Sequence, residues 1–259
     1  MFEVANNYEQ RMGRWSRQLA PLFVEFAGVE DGEHVLDVGC GTGALSATLA
    51  SMTKASKIVG IDLSKDRIDY ARGQIADPRI AFEVGDAQAL PYSDESFDRC
   101  MALLIVNLLP DAPKAAREMR RVTRSGSVVA TTMWDGSSAN ELTGRFWDAA
   151  IAIDPTAKRR ADGRGKYGTA EALSDLLKGA GLNRIQVTAL TMPCFLSSLD
   201  DYWLPLTKGE GPSGAYLTEL SEDHQAAVRE QLRVNLLGSP PDGPFTLKAK
   251  AWAVKGIVP

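Results

Sequence analysis

Apolar positions along this chain follow two rhythms, short continuous runs and a three-to-four spacing, and the two alternate regularly as far as Trp134. The first segment, from about Tyr8 to Ala27, places Trp15, Leu19, Leu22, Phe23 and Phe26 at helical intervals. That spacing predicts one amphipathic helix packed before the core begins. Val35 to Val38 is a short apolar run, and after Gly43 the residues Leu45, Leu49 and Met52 recur as on one face of a helix. Further strands are predicted at Lys57 to Ile61, Arg79 to Val84, Phe97 to Leu104 and Gly126 to Trp134. Helices fall between them, over Lys65 to Ile75 with Ser64 as N-cap, and from Pro113 through Val122, where proline is tolerated in the first turn. The βαβα order predicts an α/β fold, a mostly parallel sheet with helices on both faces. Ligands in such sheets sit at the carboxyl ends of the strands.

From Asp135 to Gly168 the rhythm fails. A helix is expected around Phe146, Trp147 and Ile151, followed by a Gly- and Arg-rich piece, Arg159 to Lys166, that reads as a mobile loop or lid. Alternation returns with a helix from Thr169 to Ala180, closed by Gly181, and a strand from Asn183 to Met192. A second excursion, Cys194 to Gly243, contains a predicted helix from Ser221 to Leu237. The strand Phe245 to Val254 closes the chain.

Composition narrows the class without adding to the fold. A chain of 259 residues accommodates one large α/β domain, or a domain with a lid. The net charge of −4, with basic residues scattered except at Arg117 to Arg124 and Lys158 to Lys166, argues against a protein living on duplex nucleic acid. Cys40, Cys100 and Cys194 are odd in number, far apart and without a C-x-x-C pair, so neither a disulfide framework nor a zinc site is expected, and a reducing cytoplasm is the simplest setting. No window is long and apolar enough to span a bilayer, and Met1 to Tyr8 lacks an apolar leader; secretion and membrane insertion are not expected.

The chemistry gathers at Val35-Leu36-Asp37-Val38-Gly39-Cys40-Gly41-Thr42-Gly43, a buried strand running into a glycine turn and then a helix. Glycines at 39, 41 and 43 permit positive φ and let a ligand approach bare main chain. The dinucleotide fingerprint spaces its glycines G-x-G-x-x-G, whereas this turn is D-x-G-x-G-x-G. An acid at Asp37 repels a pyrophosphate and suits a cationic amino-acid group. The motif resembles the first motif of the Rossmann-like S-adenosylmethionine-dependent methyltransferases. Leu90-Pro91-Tyr92-Ser93-Asp94-Glu95-Ser96-Phe97-Asp98 is likewise similar to the L-P-F-x-D-x-S-F-D signature of their small-molecule branch, which includes enzymes of ubiquinone and menaquinone biosynthesis.

The resemblance implies a seven-stranded sheet with its last strand antiparallel and a single methyltransferase domain over 1–259. In that domain about 30–134 binds the cofactor, and 1–29, 135–168 and 194–243 form cap or substrate-side elements. It implies cofactor contacts from Asp37, Gly39, Cys40, Gly41 and Gly43 in the turn. Asp62 and Leu63 follow the second strand, where a carboxylate accepts ribose hydroxyls. Asp86 and Ala87 follow the third, to hold the adenine amine and ring nitrogen. Leu103 at the end of the fourth strand faces the methionine moiety, and Arg14, with Tyr8, reaches the methionine carboxylate from the first helix. Asn107, where relatives often carry His, points to the acceptor; an amide is no base. No catalytic role is assigned to His224, Tyr167, Tyr202 or Asp135. The expected reaction is methyl transfer from S-adenosylmethionine to a small organic acceptor, leaving S-adenosylhomocysteine, with a homodimer as the candidate assembly. A catalytically silent protein binding either nucleoside as a partner or regulatory subunit is the alternative.

Adenine-amino and cytosine-carbon methyltransferases are disfavoured. Asn107-Leu108-Leu109-Pro110 lacks the required prolines and aromatic, and Pro193-Cys194 comes too late in the chain, where a buried Cys is a small hydrophobe.

Overall fold

The computed structural model describes residues 9–137, 139–162, 165–209, 211–238 and 242–259. In chain order the elements are α1 (Arg14–Ala27), β1 (His34–Val38), α2 (Ala44–Met52), β2 (Lys57–Asp62), α3 (Lys65–Gln74), β3 (Ile80–Val84), β4 (Phe97–Leu103), α4 (Ala112–Val122) and β5 (Thr123–Trp134). They continue with α5 (Glu141–Ile153), α6 (Ala157–Asp162), α7 (Ala170–Gly179), β6 (Asn183–Leu196), α8 (Leu199–Trp203), α9 (Gly211–Glu219), α10 (Glu222–Leu237) and β7 (Phe245–Ile257). A turn of π-helix, Glu9–Gly13, precedes α1, and a short 3-10 turn, Val106–Leu108, follows β4.

The seven strands form one sheet in the order β3-β2-β1-β4-β5-β7-β6. β1 pairs in parallel with β2 and β4, β2 with β3, and β4 with β5. Against β5 the last strand runs backwards: Gly126 N–H donates to Val258 O and Thr132 Oγ1 to Trp252 O, so one number rises as the other falls. The mixed sheet with its single antiparallel strand is the architecture expected from the sequence.

The chain divides into two compact units. Unit 1 comprises Met1–Met133, Thr169–Leu190 and Trp252–Pro259, and unit 2 comprises Trp134–Gly168 and Thr191–Ala251. In unit 1 the core gathers Phe23 and Val24 of α1, Val35 of β1, Leu45 and Leu49 of α2, Ile58 of β2 and Met101 of β4. Burial on both faces explains why β1 and β2 read as apolar runs instead of alternating. Met52 departs from the predicted apolar stripe and is 44% exposed at the end of α2, while Ser46 takes a place on the buried face. The first helix is tied to the sheet by a buried cation. Arg99 of β4 donates Nη1 to Ala27 O at 2.6 Å, and Nε and Nη2 to the Glu33 carboxylate at 2.7 Å each.

Unit 2 holds more helix than its sequence rhythm suggests. The helix expected around Phe146, Trp147 and Ile151 is α5, but α6 runs into the piece Arg159 to Lys166 expected as loop or lid, of which residues 163–164 lie outside the described ones, and α9 forms where no helix was predicted. Helix α9 begins Gly-Pro-Ser-Gly, and a Cβ on Gly214 would lie 2.8 Å from the Gly209 carbonyl carbon, so close backbone approach explains its poor helix-forming sequence. β6 runs past Met192, with Met192, Cys194 and Leu196 buried in alternation with exposed Thr191, Pro193 and Phe195. Proline is tolerated there because β6 is the edge of the sheet. No helix among the described residues is long and apolar enough to cross a membrane.

Candidate functional site

The carboxyl end of β1 runs into the glycine turn, whose three glycines all take left-handed φ, 69°, 55° and 89°. Their reasons differ. A Cβ on Gly39 would meet Ile105 at 2.5 Å, and one on Gly43 would meet Ile75 at 2.5 Å, so packing already fills those two spaces. Only at Gly41 would a Cβ find nothing within 4 Å. Gly41, itself buried, is thus the turn glycine beside whose Cα the space is left unfilled. The Cys40 side chain packs with Ile68, Ala71 and Phe82, and burial, with the Asp37 and Asp62 carboxylates nearby, pushes its thiol far above the usual range. Its sulfur also reaches the turn, where it donates to Gly41 O at 3.9 Å.

Asp37 is fully buried. Its Oδ2 accepts from Ser46 Oγ at 2.7 Å, while Oδ1 has no hydrogen-bond partner among the described residues. Burial raises its carboxyl to about 7, with the hydroxyl and backbone N–H of Ser46 acting the other way and the Asp62 carboxylate adding to the rise. Ser46 was missed from sequence. The signal is a lone small polar residue on the buried face of α2, between Leu45 and Leu49.

At the end of β2, Asp62 is 6% exposed and braces the turn: Gly41 N–H donates to Oδ2 at 2.9 Å and Ser64 N–H to Oδ1 at 2.8 Å. Each carboxylate oxygen retains acceptor capacity after one such bond. Leu63 beside it is 74% exposed. After β3, half-buried Asp86 accepts from the N–H and side-chain amide of Gln88, which hold its carboxyl below the usual range. Ala87 is buried. The following Leu90 to Asp94 stretch is fixed by Arg121 of α4, which donates to Leu90 O, Tyr92 O and the carboxylates of Asp94 and Glu118. Part of the basic run Arg117 to Arg124 is thus consumed internally, since Arg124 also pairs with Asp98.

At the end of β4, half-buried Leu103 packs on the unit 1 core, and Leu104 takes a left-handed φ of 61° that a side chain resists. This kink sets Ile105 against Gly39 and leads into the 3-10 turn that carries half-buried Asn107. On the N-terminal side, the guanidinium of Arg14 lies over the Trp15 ring at 4.2 Å, and Tyr8 falls outside the described residues. Glu9, unremarked in the sequence, accepts from Thr42 Oγ1 in the glycine turn and pairs with Arg17.

The remaining candidates for proton transfer have structural work. In unit 2, Asp135 is 4% exposed and pairs with Lys250 Nζ at 2.8 Å while accepting from Ser137 N–H at 2.7 Å. Burial opposes ionisation there, but these donors prevail and hold its carboxyl below the usual range. Tyr202 donates to Leu142 O at 2.9 Å, Tyr167 is buried beside Lys166, and His224 lies at the exposed start of α10 against the Ser221 hydroxyl.

Comparison with known proteins gives these positions a context. The family model described as "Methyltransferase domain" matches residues 29–170. The chain is 40% identical over 106 residues to methyltransferase GfsG of Streptomyces halstedii, covering 39% of this chain and 38% of the relative. It is 37% identical over 135 residues to the malonyl-[acyl-carrier protein] O-methyltransferase of Erwinia pyrifoliae, covering 51% and 49%. These matches thus span half or less of those relatives' length. A solved structure of Haemonchus contortus phosphoethanolamine N-methyltransferase 2 with phosphomonomethylethanolamine and S-adenosylhomocysteine superposes with a TM-score of 0.60 at 18% identity, covering 98% of this chain and 57% of that one. From the matched family and the strand order together, the chain belongs to the Rossmann-like, S-adenosylmethionine-dependent methyltransferases.

Proposed function

We propose that the protein transfers the methyl group of S-adenosylmethionine to a small organic acceptor by in-line displacement. One observation carries the reading: the turn after β1 leaves unfilled space at Gly41, with a buried Asp37 oxygen that lacks a donor among the described residues at the end of β1 and Asp62 at the next strand end. The residues fit the cofactor because its ammonium supplies a donor for Asp37 and its ribose hydroxyls are donors for Asp62. Leu63, largely exposed, gives an apolar face for the adenine, and Asp86 with the Ala87 N–H reads its edge. Arg14 is assigned to the methionine carboxylate, Leu103 to the methionine chain, and Asn107 to the acceptor.

When bound, the cofactor supplies a methyl group already activated on a sulfonium. The chain then mainly binds, orients and excludes water. Asp135 and Tyr202 are engaged within unit 2 and His224 is exposed, so no general base is assigned. That engagement favours an acceptor ionised or nucleophilic on its own, and it also supports the second reading, a silent nucleoside-binding partner protein.

Calorimetry with S-adenosylhomocysteine tests the pocket, and formation of S-adenosylhomocysteine from S-adenosylmethionine with a panel of carboxylate, amine, thiol and phenol acceptors tests the reaction. Binding with turnover supports the enzyme, and binding without turnover favours the silent protein. Failure to bind overturns both.

A further inference from the structure

The Asp37 carboxylate has two inequivalent oxygens, one held by Ser46 and one buried without a hydrogen-bond partner among the described residues. We propose that Ser46 is the positioning residue of the ammonium subsite: its hydroxyl holds Oδ2 and orients Asp37 so that Oδ1 receives the α-ammonium of the bound cofactor. The inference rests on the cofactor reading above and deepens it.

Ser46 is suited to this by place as well as by chemistry. It lies in the first turn of α2, where backbone N–H groups favour an anion, and both it and Asp37 are wholly excluded from solvent. Among the described residues, the titratable groups facing Asp37 are Asp62 from β2, Cys40 from the turn and Cys100 from β4. Burial keeps both thiols protonated, and Asp62 disfavours a second negative charge. No cation is among these groups. The Ser46 hydroxyl and N–H are thus what favours the Asp37 anion before a ligand arrives. Without the hydroxyl the carboxyl takes up a proton more readily, and a neutral acid attracts an ammonium far less. Methyl transfer itself needs no proton from this pair; its role is to set the pH above which the amino-acid end is gripped.

The test is calorimetric affinity for S-adenosylhomocysteine and for methylthioadenosine, which lacks the amino acid, over roughly pH 5.5 to 8.5. In the unaltered protein, affinity for S-adenosylhomocysteine should fall as pH drops below neutrality, while methylthioadenosine binds without that step. Ser46→Ala should move the step upward by about one pH unit and weaken S-adenosylhomocysteine about tenfold at neutral pH, as loss of one charge-assisted hydrogen bond implies. Methylthioadenosine affinity should hold, and Ser46→Thr should restore the original profile. If Ser46→Ala does not fold, Ser46→Cys, close in volume but a weaker donor, must move the step in the same direction by less. An unmoved step, or equal weakening of both nucleosides, overturns the role of Ser46 and leaves the pocket standing. Should neither nucleoside bind the unaltered protein, the cofactor reading falls with it.

Discussion

Two buried aspartates, one in each unit, show how differently the same side chain is used. In unit 2, Asp135 has a donor on each oxygen, Lys250 on one and Ser137 on the other, and those donors overcome burial to hold its carboxyl below the usual range. In unit 1, Asp37 has one hydroxyl on one oxygen, and burial lifts it to about 7. An acid with a donor on each oxygen stabilises the unit around it. An acid left short of donors costs stability in the free protein, a pattern expected where a ligand completes the set.

The contrast breaks most sharply on stability. Lys250→Met strands the Asp135 carboxylate in the interior and should cost about 3 kcal/mol or more by urea denaturation near neutral pH. A loss within error would mean that Asp135 is no better satisfied than Asp37. Asp37→Asn should act in the opposite sense. The Asp37 carboxyl binds its proton more tightly when folded than when unfolded, so its contribution is full at low pH and declines as pH rises from the ordinary carboxylate range through about 7. The asparagine variant should lack that decline and be at least as stable as the parent above it. The shift of Asp135 runs the other way, so its contribution is present above the ordinary carboxylate value and is lost as pH falls through its lowered one. Denaturation curves collected across acid and neutral pH separate the two, and parallel slopes would abolish the comparison.

Next in size are effects on affinity. Asp62→Ala and Asp86→Ala should each weaken S-adenosylhomocysteine by roughly tenfold to more than a hundredfold, the loss of one charge-assisted hydrogen bond worth ~1.5–3 kcal/mol. Unchanged calorimetric constants for both would place the nucleoside elsewhere. The smallest effect belongs to unit 2's surface. Arg160→Ala removes a pair with Glu219 in which both side chains are more than half exposed, and thermal denaturation should register less than ~0.5 kcal/mol.

Unit 1 was legible because its physics is local. A strand buried on both faces must be apolar throughout, and a turn needing positive φ must use glycine. Helix starts declared themselves too: Ser64 accepts an N–H as the predicted N-cap, and Thr169 and, in unit 2, Ser221, predicted as the first residues of their helices, sit one residue before them as caps. What escaped was non-local. That Gly39 makes room for Ile105 depends on the left-handed kink at Leu104, which no propensity of leucine announces. The Ser46–Asp37 bond joins residues nine apart across a turn, and Arg121 finds its carbonyl acceptors about thirty residues away. In unit 2, helix α9 contradicts its own composition, because packing at Gly214 outweighs the intrinsic cost of glycine and proline in a helix.

The guanidinium of Arg99 makes the opening helix more than a cover for the sheet. Detachment of the helix would withdraw the Ala27 carbonyl, and trimming of the chain up to β1 would take the Glu33 carboxylate as well and leave a cation unpaired in the middle strand. The strand so affected is the one that ends at Leu103, just before the turn carrying Asn107.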